Sequence, residues 1–316
     1  MSSWSPNCGV EIASRRASML ARARQYFEEH KVLPIDTPSL SSTTVSDPQL
    51  TSLQVEDGRY LQTSPEHFMK RLLAAGYPDI YSICRVYRGA ETGKRHLPEF
   101  TMIEWYRHNM ALGEIINDTS ALIAAVLNQP DLASNVVHRN YVDLFVEVVG
   151  LEPMRASIDD LASAAAADGA LRHLIGDYRD AWLDLILATR IAPAFPKGCL
   201  TVVQHYPASQ AALSRLCPDN DQVGDRFEVF YGVLELANGY VELTDDDEQA
   251  KRMDSDLRVR RDLGKTQVPR DVRLLAALQS GLPECAGVAL GFERLHMIAE
   301  HTDDIRNVVT FAEDLE

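Results

Sequence analysis

The chain carries, at residues 89–98, the stretch Gly89-Ala90-Glu91-Thr92-Gly93-Lys94-Arg95-His96-Leu97-Pro98, which joins two segments rich in β-forming residues, Ile80 to Arg88 and Phe100 to Tyr106. Two such segments around a polar loop predict a pair of antiparallel strands. Long loops on a rigid sheet more often serve a ligand than the core. Arginines in and beside this loop can bind phosphate oxygens through two parallel hydrogen bonds. The stretch therefore predicts either a phosphate-binding hairpin or an exposed hairpin with ordinary solvated charges.

Three glutamates, Glu228, Glu235 and Glu242, recur at intervals of seven residues. On a helix this spacing would give one solvated face. However, Gly232 and the pair Asn238-Gly239 interrupt any helix, and the residues between them favour strands. Carboxylates on adjacent strands can converge on a hard cation such as Mg²⁺, which usually also binds phosphate oxygens. The glutamates are therefore candidates for a magnesium site, with the solvated helix face as the alternative.

A third segment, Gly287-Val288-Ala289-Leu290-Gly291, precedes Phe292-Glu293-Arg294. Its small residues at alternate positions allow a ligand to lie against the strand backbone, and Arg294 at a helix start can meet a phosphate. A Gly-rich strand beside the core is the alternative. The chain has no P-loop, no GxGxxG after a strand, no HExxH and no GxSxG. Together the three segments predict a nucleotide site built on an antiparallel sheet.

The composition limits the classes of partner. The 316 residues include 31 Lys and Arg against 46 Asp and Glu, a formal net charge of −15. A surface this acidic repels the nucleic-acid backbone, and we therefore expect no stable nucleic-acid partner. A basic protein partner is compatible with the charge. The 5 cysteines are never in a CxxC pair, which argues against a disulfide framework and a cysteine zinc site. Since no signal peptide or membrane-spanning run is visible, we expect a cytoplasmic protein without membrane contact.

The pattern along the chain predicts the fold class. Helical spacing runs from Glu11 to Glu29 and over about 248–263, and strands are expected at 200–206, within 227–243 and at 287–291. Residues 111–187 read as largely helical and show no chemistry. Strands and helices without regular βαβ alternation predict an α+β fold with a mainly antiparallel sheet flanked by helices. We expect a tail at residues 1–10 and one catalytic-type domain at 11–316.

These segments resemble, in order, the three signature motifs of class II aminoacyl-tRNA synthetases. Thr37-Pro38 after the first helix is similar to motif 1, residues 88–106 are similar to motif 2 of the lysine-specific branch, and residues 287–294 are similar to motif 3. The resemblance runs from about residue 11 onward and implies a class II catalytic domain. Lysyl-tRNA synthetases carry an anticodon-binding β-barrel before motif 1. Here the motif 1 helix begins near residue 11, so no anticodon-binding domain is expected.

A free-standing core of this kind is similar to the elongation factor P–(R)-β-lysine ligase family, which Gln204 to Ala211 and Gly287 to Gly291 resemble in particular. The resemblance implies an AMP-forming ligase that uses ATP and Mg²⁺. It would activate (R)-β-lysine as the adenylate and transfer it to a lysine ε-amine of elongation factor P. The partners implied are therefore one small-molecule substrate and one protein acceptor.

The resemblance also implies roles for individual residues. Arg88 and Arg294 would be catalytic, and Glu228 and Glu235 would bind Mg²⁺. ATP would be bound by Arg88, Gly89, Ala90, Arg95, His96, Leu97, Phe100, Glu235, Leu236, Gly291 and Arg294. The amino-acid substrate would be bound by Ser64, Pro65, Glu66, Tyr106, Asn238, Glu242 and Ala289. In this set Phe100 would stack on adenine, Glu66 would take the nearer amine, and Tyr106 with Glu242 would take the distal ammonium.

Three positions depart from the related enzymes. Ala90 stands where the family often has a glutamate, and Leu97 where an asparagine commonly follows the histidine. These two favour the alternative of a catalytically weak, nucleotide-binding regulatory paralogue. Ala289 replaces the middle motif 3 glycine of lysyl-tRNA synthetases, and its methyl group shrinks the pocket in a way that favours β-lysine. An enzyme that uses α-lysine, including one that charges tRNA, is the other alternative, which the acidic composition disfavours for tRNA.

Motif 1 of class II enzymes usually forms a dimer interface, so we expect a homodimer with twofold symmetry. Static light scattering should give twice the 35.2 kDa of one chain. A mass of one chain at every concentration measured would contradict this expectation.

Overall fold

The computed structural model describes residues 4–89 and 92–312. The α-helices in these ranges are α1 (Val10–Glu29), α2 (Glu66–Ala74), α3 (Leu112–Leu127), α4 (Tyr141–Val149), α5 (Ile158–Ala164), α6 (Gly169–Ile175), α7 (Arg179–Ile186), α8 (Asp246–Asp262), α9 (Val272–Gln279) and α10 (Phe292–Ala299). The strands are β1 (Leu33–Pro34), β2 (Leu40–Ser41), β3 (Tyr60–Leu61), β4 (Ile80–Tyr87), β5 (Glu99–His108), β6 (Val136–Asn140), β7 (Leu200–Gln204), β8 (Leu216–Cys217), β9 (Asn220–Gly224), β10 (Arg226–Tyr231), β11 (Leu234–Val241) and β12 (Cys285–Gly291). None of the helices in the described part combines the length and apolar character needed to cross a bilayer.

Eight strands form the main sheet, in the order β1-β4-β5-β12-β11-β10-β7-β6. The six inner strands pair in antiparallel fashion, and only the two outermost pairings, β1 with β4 and β6 with β7, are parallel. The predicted α+β class with a mainly antiparallel sheet is therefore confirmed. The predicted hairpin around residues 89–98 is β4 and β5, which pair from Ile80 opposite Tyr106 to Tyr87 opposite Glu99.

Side chains of the sheet divide between a covered face and a functional face. Successive residues of a strand point to opposite faces. Along β5, Ile103 and Trp105 belong to the main apolar core, which α1 and α3 cover. Their neighbours Met102, Glu104 and Tyr106 line a cavity on the other face. One strand therefore contributes both to the core and to the site.

Residues 111–187 differ from the prediction in one respect. The segment is mostly helical, but it also contains β6, which forms one edge of the main sheet beside β7. This strand has the sequence Val-Val-His-Arg-Asn, so it is short and half polar, and no run of β-forming residues announces it. A second apolar core around Tyr141, Phe145 and Trp182 packs the helices of this segment against β7 and β10. The strand character expected within 227–243 is confirmed as two strands, β10 and β11, joined by a turn at Gly232, whose φ is +54°.

A buried carboxylate, Asp118 on α3, ties the helical layer to the sheet. It accepts hydrogen bonds from the Tyr26 hydroxyl at 2.7 Å and the Trp105 indole nitrogen at 2.9 Å. It also pairs with Arg107 at 3.4 Å. Tyr26 lies on α1, and Trp105 and Arg107 lie on β5. Buried donors that lose their acceptor are costly, so this carboxylate holds three elements in one arrangement.

We expect Asp118→Ala to lower the free energy of unfolding by about 3 kcal/mol. The substitution removes one partner of a buried ion pair and leaves two buried donors without an acceptor. Urea denaturation followed by circular dichroism measures this. Glu56→Ala, which removes a carboxylate from an exposed loop, is the control and should leave the denaturation midpoint unchanged. Equal midpoints for the two variants would contradict the role of Asp118.

Candidate active site

A cavity of about 1000 Å³ opens on the functional face of the sheet. Strands β5, β10, β11 and β12 supply its floor, and residues of α2, α7, α8 and the loop after β4 supply its walls. The predicted residues that line it are Ser64, Glu66, Arg88, Arg95, His96, Leu97, Phe100, Tyr106, Glu228, Glu235, Leu236, Asn238, Ala289, Gly291 and Arg294. The fold therefore collects residues from four separate stretches of sequence, 64–66, 88–106, 228–238 and 289–294, into one space.

Four predicted residues are placed differently. Ala90 lies outside the described residues. Gly89 does not line the cavity but donates its N–H to the Thr51 carbonyl at 2.7 Å, and an added Cβ would lie 3.0 Å from the Thr51 methyl carbon. Pro65 precedes α2, and its carbonyl accepts from the N–H groups of the first turn. Glu242 lies behind the cavity wall, with none of its side-chain surface exposed.

One end of the cavity is cationic. Arg294, on α10, donates to the Glu235 carbonyl at 2.8 Å, and its other terminal nitrogen lies 2.7 Å from His96 Nε2. These contacts fasten the loop after β4 to α10. The guanidinium of Arg88 lies over the ring of Phe100, 5.2 Å from its centroid. Arginines on both sides of one space can bind the oxygens of a polyphosphate.

Two carboxylates on neighbouring strands lie between this end and the centre of the cavity. Glu228 accepts from the Tyr206 hydroxyl and from Arg226, both at 2.6 Å. Glu235 lies 3.5 Å from Arg294. Burial, together with the charge of Glu235, raises the pKa of Glu228 to about 7. The two carboxylates are close enough for the charge of one to raise the pKa of the other, and hard oxygen donors suit Mg²⁺, so the residues present fit a divalent cation.

The opposite end of the cavity is acidic and is built around a buried lysine. Lys70, on α2, lies 2.8 Å from Glu66 and 2.6 Å from Glu242, with almost none of its side chain exposed. Burial lowers the pKa of Lys70, but the carboxylates of Glu242 and Glu66 outweigh burial and raise it above its ordinary value. Lys70 is therefore a permanent cation. Its i to i+4 spacing from Glu66 was visible in the sequence, but its pairing with Glu242 is a long-range contact.

Sequence reasoning missed a second residue of this end, Glu104. Its carboxylate accepts from the Ser64 hydroxyl at 2.8 Å and from the Tyr106 hydroxyl at 2.9 Å, and it lines the cavity. Burial and the charge of Glu66 raise the pKa of Glu104 to about 8. Three carboxylates thus face one lysine. The alternation along β5 was the available signal, because Glu104 shares a face with Tyr106.

Two small residues of β12 set the space in front of this acidic end. A Cβ at Gly287 would lie 2.4 Å from both Glu242 Oε1 and a ring carbon of Tyr106, so no larger residue fits there. Ala289, two residues along, lines the cavity with its methyl group. The absence of a side chain at Gly287 is therefore required by Glu242 and Tyr106, and the approach of a ligand to this backbone stays a prediction.

A separate cluster joins the end of β7, the strand β8 and the link between β9 and β10. Ligand atoms of His205, Cys217 and Asp225 lie within 4.8 Å of one another. Burial and the hydrogen bond that the thiol donates to Asp225 raise the pKa of Cys217 to about 12. Asp225 also pairs with Arg215 at 2.8 Å. A proton and a guanidinium already balance this cluster, so we assign it no ligand.

Comparisons with known proteins agree with this geometry. The family model of class II tRNA synthetases (D, K and N) matches residues 9–315. The chain is 39% identical over 318 residues to the elongation factor P–(R)-β-lysine ligase of Pseudoalteromonas translucida (strain TAC 125), which covers 98% of this chain and 97% of the relative. The proteins of the same name from Haemophilus ducreyi (strain 35000HP / ATCC 700724) and Edwardsiella ictaluri (strain 93-146) are 37% and 39% identical. These matches cover 98% and 99% of this chain, and 95% and 98% of the relatives.

The raised pKa of Glu104 predicts a pH dependence of stability. The folded pKa of about 8 exceeds the ordinary value of 4.5, so between these values the folded state retains a proton that the unfolded state has lost. Stability therefore falls as the pH rises through this window, and the loss is complete above the folded pKa. Glutamine mimics the protonated carboxyl group, so Glu104→Gln should equal the wild type near about pH 5 and be more stable near about pH 9.

Chemical denaturation of both proteins across this pH range measures the difference. A variant that is destabilised equally at both pH values would contradict the assignment of a buried, protonated carboxyl group.

Proposed function

The chain belongs to the class II tRNA synthetase (D, K and N) family and to its elongation factor P–(R)-β-lysine ligase branch, and we propose that it ligates (R)-β-lysine to elongation factor P at the expense of ATP. The observation that carries the proposal is similarity over 98% of the chain to ligases of that name. The cavity supports it, because a cationic end for phosphates and an acidic end for amines share one space.

The charges at the acidic end suit a substrate with two ammonium groups. Glu66, Glu104 and Glu242 carry three potential negative charges, and Lys70 carries one positive charge. A buried charge needs a partner, so the remaining carboxylates would be neutralised by a diamine. We propose that Glu66 and Asn238 take the amine nearer the carboxylate and that Tyr106, with Glu104, takes the distal ammonium. Glu242 would contribute its charge from behind the wall.

The cationic end suits ATP. We propose that Arg88 holds the substrate carboxylate and the α-phosphate, and that Arg294, Arg95 and His96 bind the phosphates beyond it. Phe100, Leu236 and Gly291 would line the adenosine part. Glu228 and Glu235 would hold Mg²⁺, which supplies positive charge to the phosphates when it is bound.

Catalysis would be mainly electrostatic. A carboxylate oxygen of (R)-β-lysine attacks the α-phosphorus of ATP, the bond to the bridging oxygen breaks, and pyrophosphate leaves. Negative charge grows on the phosphate oxygens during this step, and Arg88 with Arg294 would stabilise it from fixed positions. No residue of the chain needs to form a covalent bond. The second step joins the activated carbonyl carbon to the acceptor amine and releases AMP.

We further propose that Ala289 selects the β-amino isomer, because its methyl group occupies space that the α-amine would need. Residues 11–316 would act as one catalytic domain in a homodimer, without a stable nucleic-acid partner. We also propose a cytoplasmic location, because the proposed acceptor is a translation factor.

ATP–pyrophosphate exchange tests the proposal. With (R)-β-lysine the purified protein should catalyse exchange, and with α-lysine it should be slower, because of Ala289. Arg294→Ala should lower the exchange rate about 100-fold or more by removing charge stabilisation at the phosphates. Arg190→Ala, at an exposed arginine outside the cavity, is the matched control and should retain the wild-type rate.

Two outcomes would replace the proposal. Exchange with α-lysine only would retain the adenylation chemistry and change the substrate. Retained ATP binding without exchange for either amino acid would favour the regulatory paralogue, and the departures at Ala90 and Leu97 would then explain the lost activity.

A further inference from the structure

The cavity extends past the two ends described above into a side arm. The arm lies between the loop at residues 45–50, α7, the turn at Ala208–Gln210 and α8. We call it the acidic arm, after the four carboxylates that line it, Asp47, Asp180, Asp184 and Asp256. Asp180 and Asp184 come from the helical segment in which the sequence showed no chemistry. The arm is continuous with the space above Asn238 and Glu228, so whatever enters it reaches the centre of the site.

Neutral donors, and not cations, hold these carboxylates. Ser46 donates to Asp256 at 2.6 Å, and Ser209 donates to Asp180 at 2.8 Å. Asp184 accepts from two glutamine amides, at 2.7 and 2.8 Å. Within residues 4–89 and 92–312, none of the four carboxylates forms an ion pair with a lysine, arginine or histidine. The arm therefore has uncompensated negative charge.

Burial makes the ionised form of these carboxylates less favourable. It raises the pKa values of Asp180 and Asp184, and it raises the pKa of Asp256 to about 6. The arginines that line the arm are already engaged. Arg252 pairs with Glu248 at 2.9 Å and donates to two backbone carbonyls, and Arg226 pairs with Glu228. The nearby arginines offset the charge of these carboxylates only in part, so a cation that enters the arm would still meet negative charge.

A second, independent feature also calls for a hydrogen-bond donor. Gln210 is more than nine-tenths buried, with 8% of its surface exposed, and it lines the arm. Its amide nitrogen donates to Asp184 at 2.7 Å. Its side-chain oxygen accepts no hydrogen bond from the described residues. Buried acceptors without a donor are rare, so this oxygen and the adjacent carboxylate together form a place for an N–H-bearing ligand.

We infer that the acidic arm admits the acceptor lysine side chain of the protein substrate, with its ammonium group bound by Asp184, Gln210 and the carboxylates toward the mouth. This inference rests on the proposed function. In the proposed function, the acidic end around Lys70 binds the amine groups of the amino-acid substrate. The arm therefore serves a different cation. A lysine side chain on a protein loop is long and thin enough to enter such an arm from outside.

Arg226 distinguishes the inner end of the arm from its mouth. It donates to the Gln210 carbonyl and to Asn238 Oδ1, and it pairs with Glu228. Because Glu228 already balances this guanidinium, the arm ends without net positive charge, and the carboxylates toward the mouth favour the ammonium. The mouth therefore recruits the charged form, which must lose a proton before it attacks.

The transfer step balances with these groups. The amine nitrogen bonds to the carbonyl carbon of the β-lysyl adenylate. The bond from that carbon to the phosphate oxygen breaks, and its electron pair leaves with AMP. The nitrogen loses two protons, one before attack and one as the amide forms, and both leave to solvent through the mouth of the arm.

Separate assays of the two half-reactions test the inference. In Asp184→Asn and Asp256→Asn, the KM for elongation factor P in the transfer reaction should rise about tenfold, because each variant removes one uncompensated charge from the path of the cation. The rate of pyrophosphate exchange with ATP and (R)-β-lysine should stay within about twofold of the wild type. Asp262→Asn is the control, since it removes an exposed carboxylate from the same helix, α8, outside the arm.

Thermal unfolding checks that each variant is folded. Because two different aspartates are changed, the test does not depend on the folding of one variant alone. An unchanged KM for elongation factor P in both variants would overturn the inference and leave the proposed function intact. Exchange that falls in parallel with transfer would also overturn it, because the arm would then serve the amino acid. Absence of exchange in the wild type would overturn the proposed function, and the inference with it.

Discussion

A single buried ammonium group, that of Lys70, organises the acidic end of the site. It joins Glu66 on its own helix to Glu242 beyond β11, and so fixes α2 against the sheet. Two carboxylates this close to each other in a dry environment would repel one another without it. The lysine neutralises only part of the charge, since Glu104 also faces the same space. At neutral pH the raised pKa of Glu104 keeps its carboxyl group protonated, and a cationic ligand would allow that group to ionise.

The sheet makes this arrangement possible through close packing. Gly287 lies opposite Tyr106 on one side and Tyr240 on the other. Because it has no Cβ, the Tyr106 ring and the Glu242 carboxylate can lie directly beside its backbone. The glycine thus allows the Glu242 carboxylate to lie behind the residues that line the cavity, while the Tyr106 ring lines the cavity itself. Rigid strands hold both groups, so the charges need little rearrangement when a ligand enters.

Much of the fold and part of the site were predictable from the sequence. Local patterns predicted the β4–β5 hairpin, the helix start at Arg294 and the strands that carry Glu228 and Glu235. These predictions hold because residues that are neighbours in the sequence determine such elements. Lys70 and Glu104 were missed because their importance comes from partners far along the chain or across the sheet. Lys70 looks like one of several charges on an amphipathic helix until Glu242, 172 residues away, is placed beside it (242 − 70 = 172). The strand β6 was missed for a related reason, since β7 determines its conformation more than its own residues do.

The cavity combines three electrostatic environments, and their order follows from the chemistry. In the proposed reaction, phosphates would bind at the cationic end and the amines of the amino acid at the acidic end. The carboxylate between them would then lie where the two environments meet. A second nucleophile must reach that same carbon after pyrophosphate has gone. It arrives as a cation and must react as a neutral amine. An entry lined by aspartates meets the first requirement, because its negative charge attracts the ammonium group. The helical segment that supplies Asp180 and Asp184 therefore forms part of the site, in addition to packing against the sheet.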